Sequence, residues 1–374
     1  MNSSNRQGFM TRLDERRESS RFRRRQTRTA TAIEQQFASN DYLSLSQHPQ
    51  VLKAAKDALD RWGFGSGGSP LLSGYSNAHR ELEEALAEWL DVEAVVLFNS
   101  GFAANHGTIS TLIQTGTIYF DRLSHASLID GIRSTKRRFK RFEHNRIADL
   151  SAELTPTAED WVVSEGTFSM DGDRIPEQEL SELQQHSKVS VLLDDAHGLG
   201  VWGEQGLASY GALRDNIRLL TGTFGKAFGA SGAFVAGSGD DIEELIQFCR
   251  EYIYSTAFPP AQAAAIQAAL TVIRSDEGAE LRARLADNID NFKGQLQQRQ
   301  LNLIASDSPI QSWVVGDDQQ VMLLKQQLQQ AGFAVSAVRP PTVPEGSARI
   351  RFSLQAQHQP QHIDALCQQL DKLS

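Results

Sequence analysis

Residues 189–198 read Val-Ser-Val-Leu-Leu-Asp-Asp-Ala-His-Gly. The apolar run 189–193 has the length of a buried strand and is too short for an ordinary helix. It closes on Asp194 and Asp195, and His197 follows three residues after the first of them. A carboxylate ending a buried strand is costly unless it meets a cation. The plainer alternative is a pair of helix-capping aspartates. Outward from this stretch the same layout recurs. Residues 95–98, 161–164 and 218–221 are further short apolar runs, each ending in a polar or Gly-rich turn. Between them lie helical patterns such as 81–90, with apolar Leu82, Ala85, Leu86 and Trp89 on one face. Strands alternating with helices imply an α/β fold with a large, mostly parallel sheet covered on both faces. In such a sheet ligands gather beyond the carboxyl ends of the strands.

Three strand ends carry chemistry besides 194–198. After 95–98 comes Asn99-Ser100-Gly101-Phe102-Ala103-Ala104-Asn105, a strand turning through Ser-Gly into a helix. Its free backbone N–H groups and positive helix end suit a phosphate, although many turns hold Gly only to turn. After 161–164 comes Glu165-Gly166-Thr167-Phe168-Ser169-Met170-Asp171-Gly172. After 218–220 comes Thr221-Gly222-Thr223-Phe224-Gly225-Lys226-Ala227-Phe228-Gly229-Ala230-Ser231-Gly232. Here one lysine sits among glycines, phenylalanines and small residues. A lysine amine held in apolar surroundings is deprotonated more readily and can act as nucleophile or base; a snorkelling surface lysine is the bland alternative. Phosphate cradle, strand-end carboxylate and lone lysine together suit pyridoxal 5′-phosphate. Its aldehyde needs an amine, its ring nitrogen a carboxylate and its phosphate N–H and hydroxyl donors. No metal is required.

At 374 residues and 41.3 kDa the chain is long enough for two domains. Its 40% hydrophobic and 22% charged residues are those of a soluble globular protein. Cys249 and Cys367 lie far apart without zinc-binding spacing, which fits a reducing, cytoplasmic location. No run approaches the roughly 18 apolar residues of a membrane span. The net charge of −9 is uneven: nine arginines against Asp14, Glu15 and Glu18 give the first 28 residues +6, leaving −15 on the rest. That start invites a transit peptide or a nucleic-acid arm. The acidic residues speak against the first, and the scarcity of interleaved aromatics, Phe22 chief among them, and the −15 remainder against the second. A solvated, partly helical segment is the remaining reading. After Pro259-Pro260 the pattern becomes that of a smaller α+β unit. The expected divisions are an N-terminal segment over 1–45, a large α/β domain over 46–275 and a small C-terminal domain over 276–374.

With these residues in view, the chain resembles the α-oxoamine synthases, a branch of the fold-type I pyridoxal-phosphate enzymes. The resemblance runs from Asn40-Asp41-Tyr42-Leu43 to Arg349-Ile350-Arg351. It is carried by Gly65-Ser66-Gly67-Gly68-Ser69, Ser100 to Asn105, Asp121-Arg122-Leu123-Ser124-His125-Ala126-Ser127 and Glu165 to Gly172. Asp194 to Gly198, the Lys226 loop, Tyr254-Ser255-Thr256 and Arg339-Pro340-Pro341-Thr342-Val343-Pro344 continue it. The implied fold is a seven-stranded-type sheet domain plus a small C-terminal α+β domain.

The resemblance also implies roles. Lys226 holds the cofactor as a Schiff base and moves the substrate Cα proton. Asp194 pairs with the ring nitrogen, His197 bonds the phenolic oxygen, and His125 stacks on the ring and meets the substrate. Without the family, His125 reads as a helix-start residue beside a capping Ser124. Gly101 and Phe102 form the backbone cradle, and Ser169 and Thr223 give hydroxyls to the cofactor. Thr256 reaches the phosphate from a neighbouring copy, implying a homodimer with a shared active site. Arg339 clamps the amino-acid carboxylate, for which a bidentate guanidinium is suited, while Arg23 and Thr342 contact the acyl substrate.

The implied reaction is a decarboxylative condensation of an amino acid with an acyl thioester of coenzyme A or acyl-carrier protein. Gly198 and Arg339-Pro340-Pro341-Thr342 look most like the branch that joins L-alanine to a pimeloyl thioester in biotin biosynthesis. Siblings acting on glycine or serine are the alternatives, glycine C-acetyltransferase first among them. One methyl on the amino acid is worth only about 1–3 kcal/mol of discrimination. A non-catalytic scaffold relative predicts loss of the lysine or its carboxylate, and both are present. Two departures stand out: Ser44 replaces the family's usual Gly, and the stretch between the arginines and Asn40 is shorter than usual.

Overall fold

Seven short strands form one sheet: β1 (Ala94–Phe98), β2 (Ile118–Asp121), β3 (Phe139–Phe142), β4 (Trp161–Glu165), β5 (Ser190–Asp194), β6 (Leu219–Thr223) and β7 (Ala233–Gly237). Their order is β1-β7-β6-β5-β4-β2-β3. The pairs β2–β3, β2–β4, β4–β5 and β5–β6 are parallel, whereas β7 runs antiparallel to both β6 and β1. The exception has a physical cause. Residues 224–232 are too few for the crossover of about a dozen residues that joins parallel neighbours, so the chain turns back on itself after β6. The sequence pattern points to β1, β4, β5 and β6; β2, β3 and β7 emerge only in the structure.

The computed structural model describes residues 3–25, 27, 35–154, 159–299 and 301–373. The sheet belongs to a unit of Asn40–Ser169 and Asp173–Ala283. Val96, Phe120, Val163, Leu192 and Val235 from its strands pack with Ile109 and Ile132 from the helices Gly101–Leu112 and Ala126–Ser134. Each such fully buried aliphatic side chain contributes about 1.5–3 kcal/mol. The strands that read as continuous apolar runs are the ones buried on both faces, as a parallel sheet requires.

A second unit consists of Met1–Ser39, Met170–Gly172 and Arg284–Ser374. Its sheet is antiparallel, with β8 (Ile310–Gly316), β9 (Ser336–Val338) and β10 (Ala348–Ser353) in the order β8-β10-β9. The helices Asp318–Gln330 and Pro360–Leu370 belong to it, as does the N-terminal helix Ser3–Glu18. In this division the N-terminal residues group with the C-terminal ones. Phe37 shows how: its N–H donates to the Ala334 carbonyl at 2.9 Å, and its carbonyl accepts from Ser353 N–H at 2.8 Å. Its ring stacks on His358 at 4.2 Å between centroids. The division between the units falls at residues 283 and 284, inside the helix Asp276–Gln297. Arg28 and most of the shortened stretch before Asn40 (28–34) lie outside the described residues.

Ser44 has φ 61° and ψ 30°, in the left-handed region. Only glycine adopts that region without steric cost, which accounts physically for the glycine usual at this position in the family. Cys249 and Cys367 are free and buried. Burial pushes their thiols up to about 11 and about 12, away from nucleophilic or redox use. Among the described residues no helix is long and apolar enough to cross a membrane.

Candidate active site

The carboxyl ends of β4, β5 and β6 lie side by side, so Glu165, Asp194 and Thr221 share one edge of the larger unit's sheet. Asp194 is 7 % exposed. Its Oδ1 accepts the Ala196 backbone N–H at 3.0 Å, and its Oδ2 accepts from Asn105 Nδ2 at 2.6 Å. A carboxylate held from both sides in this way is fixed in direction, as a partner for a ring nitrogen must be.

Lys226 stands in the turn between β6 and β7. The turn is held by Phe224 N–H to the Gly232 carbonyl (2.9 Å), Ala230 N–H to the Phe224 carbonyl (2.8 Å) and Gly229 N–H to the Lys226 carbonyl (2.9 Å). Gly229 has φ +66°, and a Cβ there would lie 2.2 Å from the Ser46 backbone nitrogen, so no side chain fits. Beneath the turn, Phe224 and Phe228 are fully buried and meet edge to face at 5.4 Å. The loop around this lysine is thus apolar in its own side chains, while the charge of Lys226 acts on Glu165 and His125. Lys226 and its carboxylate-bearing neighbour strand belong to the same unit, and the positive lysine helps lower the pKa of His125.

The helix Gly101–Leu112 begins at Ser100, whose side chain accepts the Ala103 N–H at 3.2 Å. The first N–H groups of a helix lack intrahelical partners, so Gly101 and Phe102 present donors at its positive end. A Cβ added to Gly101 would lie 3.9 Å from the Thr223 Cβ, which sets the Thr223 hydroxyl beside that end. This hydroxyl donates to the Gly232 carbonyl at 2.9 Å and accepts from Gly225 N–H at 3.2 Å. Asn99 Nδ2 donates to the Thr256 carbonyl at 2.6 Å, which ties Thr256 to the residue that precedes Ser100. Ser169 is half-buried in the loop after β4.

His197 is 6 % exposed, and its Nδ1 is 2.8 Å from the Tyr42 hydroxyl. Tyr42 belongs to the Asn40-Asp41-Tyr42-Leu43 segment, so that motif positions the histidine from a distant part of the chain. His125, rather than Ser124, caps the helix Ala126–Ser134: its Nδ1 accepts the Ser127 N–H at 3.3 Å. The Ser124 hydroxyl is buried without a partner among the described residues. Burial, and then the charge of Lys226, lower the pKa of His125 against the pull of Asp194. Its imidazole is therefore neutral around neutral pH.

A pyridoxal phosphate fits this donor set: an amine for its aldehyde, a fixed carboxylate for its ring nitrogen, and a helix N-terminus with a hydroxyl for its phosphate. Lys226, Asp194, His125, His197, Gly101, Phe102, Ser169, Thr223 and Thr256 all belong to the larger unit.

Arg23, Arg339 and Thr342 come together in the smaller unit. With Arg21, Met170, Ala337, Val338 and Pro340 they line a cavity of about 300 Å³. Arg21 is already committed to acidic partners, its Nε bonding Asp318 at 2.6 Å and its terminal nitrogens bonding Glu345. Arg23 donates to the Thr342 hydroxyl at 3.2 Å. Arg339 donates to the Ser20 carbonyl, while its Nε is buried without a partner among the described residues. Burial depresses its pKa; Asp318 pulls it up, and the positive Arg23 and Arg21 press it down further. The cavity is a cationic hollow with a donor to spare, suited to a carboxylate.

Residue types and spacing did not single out Asn105, Thr221, Ser127 or Tyr42 as working residues. Each lies inside a quoted segment, but its partners sit on other elements, which a linear reading does not join.

The family described as aminotransferase class I and II matches residues 34–370. A variant of serine palmitoyltransferase from S. paucimobilis, solved with a bound PLP–myriocin aldimine, is 28% identical with a TM-score of 0.91 over 99% of this chain and 97% of that one. Serine palmitoyltransferase from Sphingomonas wittichii is 31% identical, TM-score 0.86, over 90% of this chain and 86% of that one. The 8-amino-7-oxononanoate synthase of Francisella tularensis is 29% identical, TM-score 0.77, over 90% and 98%.

Proposed function

The chain belongs to the class I and II aminotransferase family and is a pyridoxal-phosphate-dependent enzyme of α-oxoamine-synthase type; from that premise we propose that it is an 8-amino-7-oxononanoate synthase. The reaction joins L-alanine to a pimeloyl thioester and releases CO2 and the free thiol of coenzyme A or acyl-carrier protein. When bound, pyridoxal phosphate supplies the electron sink for the negative charge that develops at the amino-acid Cα.

The chain's own residues do the rest. Lys226, on a turn stiffened by buried phenylalanines, offers its amine to the cofactor aldehyde and afterwards takes and returns the Cα proton. Asp194 would pair with the ring nitrogen, and His197, braced by Tyr42, would bond the phenolic oxygen. Gly101 and Phe102 would hold the phosphate end, and Thr223 and Ser169 would give hydroxyls to the cofactor. Arg339 binds a substrate carboxylate, and Arg23 with Thr342 receives the acyl substrate. A second copy of the chain supplies Thr256, so the working form is a homodimer. Exposed Phe64 (85%), Leu72 (86%) and Tyr254 (71%) are apolar surface that such a partner would cover.

The observation that carries the choice of member is Arg23 beside Thr342 in the cationic cavity, Arg339 being assigned to the amino-acid carboxylate that every candidate pair shares. A pimeloyl group ends in a carboxylate, which this cavity suits; a palmitoyl or acetyl group has none. A serine palmitoyltransferase is the second reading, favoured by the TM-score of 0.91 over 99% of the chain.

Parallel assays decide between them: L-alanine with pimeloyl thioester, L-serine with palmitoyl thioester and glycine with acetyl thioester, each followed by thiol release, with CO2 release followed as well for the first two pairs. Highest kcat/KM for the first pair is expected. Highest kcat/KM for either other pair would overturn the choice of member. A preparation that stays colourless after adding pyridoxal phosphate would overturn the cofactor role of Lys226.

A further inference from the structure

Asn105 is 2 % exposed and ties together three residues of the site. Its Nδ2 donates to Asp194 Oδ2 at 2.6 Å and to Ser127 Oγ at 2.9 Å, while its Oδ1 accepts from the Thr221 hydroxyl at 2.7 Å. The orientation of this amide follows from chemistry: a carboxylate only accepts, so the nitrogen must face Asp194. The oxygen is then left for Thr221, whose hydroxyl can donate.

Ser127 is fully buried. Its oxygen accepts from Asn105, so its one hydroxyl proton is free to go to His125 Nδ1, 2.7 Å away. The Ser127 backbone N–H points at the same nitrogen at 3.3 Å. Two donors aimed at Nδ1 leave no room for a proton on it. The ring proton of a neutral His125 must then sit on Nε2. The charged groups that act on this ring are Asp194 and Lys226, and Glu165 Oε1 takes its backbone N–H at 2.6 Å.

We propose that Asn105 and Ser127 are positioning residues whose hydrogen bonds join Asp194 to His125, fixing the direction of the carboxylate and locking His125 as the Nε2–H tautomer. His125 thereby meets the substrate as a hydrogen-bond donor and not as a base. One amide sets both groups, so the partner of the ring nitrogen and the histidine of the ring face are aligned together.

The inference rests on the cofactor reading only for what Asp194 meets; the tautomer is a property of the protein alone. Its test therefore has two arms. In the first, histidine nitrogens of the cofactor-free protein are observed by 15N–1H NMR, with His125 assigned by loss of its signal in His125→Asn. The Nε2–H pattern is expected in the native chain, and a mixture of tautomers in Ser127→Ala. A proton on Nδ1 in the native chain would overturn the relay, and so would an unchanged pattern in Ser127→Ala, because the backbone N–H left at 3.3 Å is too long a bond to hold the tautomer by itself.

In the second arm, the dissociation constant of pyridoxal phosphate is measured for Asn105→Ala and for Ser127→Ala. About a tenfold weakening is expected for Asn105→Ala, the loss of one hydrogen bond to a charged group, with a smaller change for Ser127→Ala. A merely structural role would lower the melting temperature of either variant but leave cofactor affinity and tautomer as they are, and that result would overturn the proposal. If the native chain binds no pyridoxal phosphate, the cofactor reading fails, while the NMR arm still decides the relay.

Discussion

Glu165 and Asp194 are register partners, the last residues of two adjacent parallel strands, and both are buried. Burial, and then the charge of Asp194, push the Glu165 carboxyl well above the usual carboxylate range. The His125 backbone N–H, 2.6 Å from its Oε1, and the charge of Lys226 oppose this only in part. One edge of the sheet therefore carries two buried carboxyls in unequal surroundings, and Glu165, whose pKa is raised, also braces the backbone of His125.

That inequality has a pH signature. The folded-state pKa of Glu165 lies above its unfolded value of about 4.3, so folding favours its neutral form. Stability from this group is full below that value and falls as the pH rises toward the folded pKa. Glu165→Gln keeps an oxygen for the His125 N–H and removes the titration. Urea unfolding midpoints of the cofactor-free protein should then show the variant gaining on the native chain between pH 5 and pH 8. A constant difference across that range would mean that Glu165 is ionised in the fold.

His144 gives the opposite sign. Burial opposes its charge, but hydrogen bonds to Asp121 (3.0 Å) and Asp173 (2.7 Å) outweigh it and push the pKa up to about 10. The folded value stands above the unfolded value of about 6.5. The stabilisation is therefore complete below about 6.5 and is lost as the pH rises through 10. His144→Gln should destabilise more at pH 6 than at pH 10.5, read as the difference in unfolding midpoint from the native chain. Equal losses at both values would argue for packing against Phe168, which its ring meets edge to face at 4.5 Å.

How far the sequence reaches is visible in these residues. Asp194, Lys226 and the Ser100–Gly101 turn were legible because each ends an apolar run, and strand ends are where an α/β sheet exposes its chemistry. Asn105 and Ser127 were not, although both stand in quoted segments. Their meaning lies in hydrogen bonds among a helix, a second helix start and two strands, and no local spacing encodes that meeting. The cap at the start of the helix Ala126–Ser134 is a related case. Serine has the higher capping propensity, but the imidazole of His125 takes the same N–H. Strand β3 (Phe139–Phe142) escaped notice because it is an edge strand with two basic residues, which blunt such an edge.

Close packing around Asp195 explains two glycines. Its Oδ2 accepts the Tyr210 N–H at 3.1 Å, and its Oδ1 has no partner among the described residues. A Cβ on Gly166 or Gly198 would fall 2.3 or 2.2 Å from that oxygen. Gly198→Ala should cost about 1–3 kcal/mol through overpacking, measured by denaturant unfolding. Burial first, and also the charge of Asp194, push Asp195 up to about 7, so Asp195→Asn should gain on the native chain as the pH rises from 4 to 7. A neutral outcome for Gly198→Ala would show that the loop yields by more than the contacts suggest.

Ser44 offers a stabilising change. Its φ of 61° costs a β-carbon about 1–2 kcal/mol, and its hydroxyl is buried without a partner among the described residues. Glycine removes both penalties but loses more entropy on folding. Ser44→Gly should raise stability by about 0.5–1 kcal/mol, seen as a higher unfolding midpoint at unchanged slope. A lower midpoint would mean that the chain entropy outweighs the steric relief.

The cationic cavity makes the sharpest functional prediction. If Arg23 and Thr342 receive the carboxylate end of an acyl chain, Arg23→Ala should raise the KM for a pimeloyl thioester by about tenfold or more, the worth of a charge-assisted hydrogen bond. A heptanoyl thioester, equal in length but without the carboxylate, should lose little, because for it the arginine makes no such bond. The native chain should therefore prefer the pimeloyl substrate and the variant should not, with kcat nearly unchanged for both. Added salt should narrow the native preference, since Arg23 is exposed and its field is screened within about 10 Å at 0.1 M. Equal losses on the two substrates would place Arg23 on the carrier or on the fold instead, and the case for a dicarboxylic acyl substrate would fall with it.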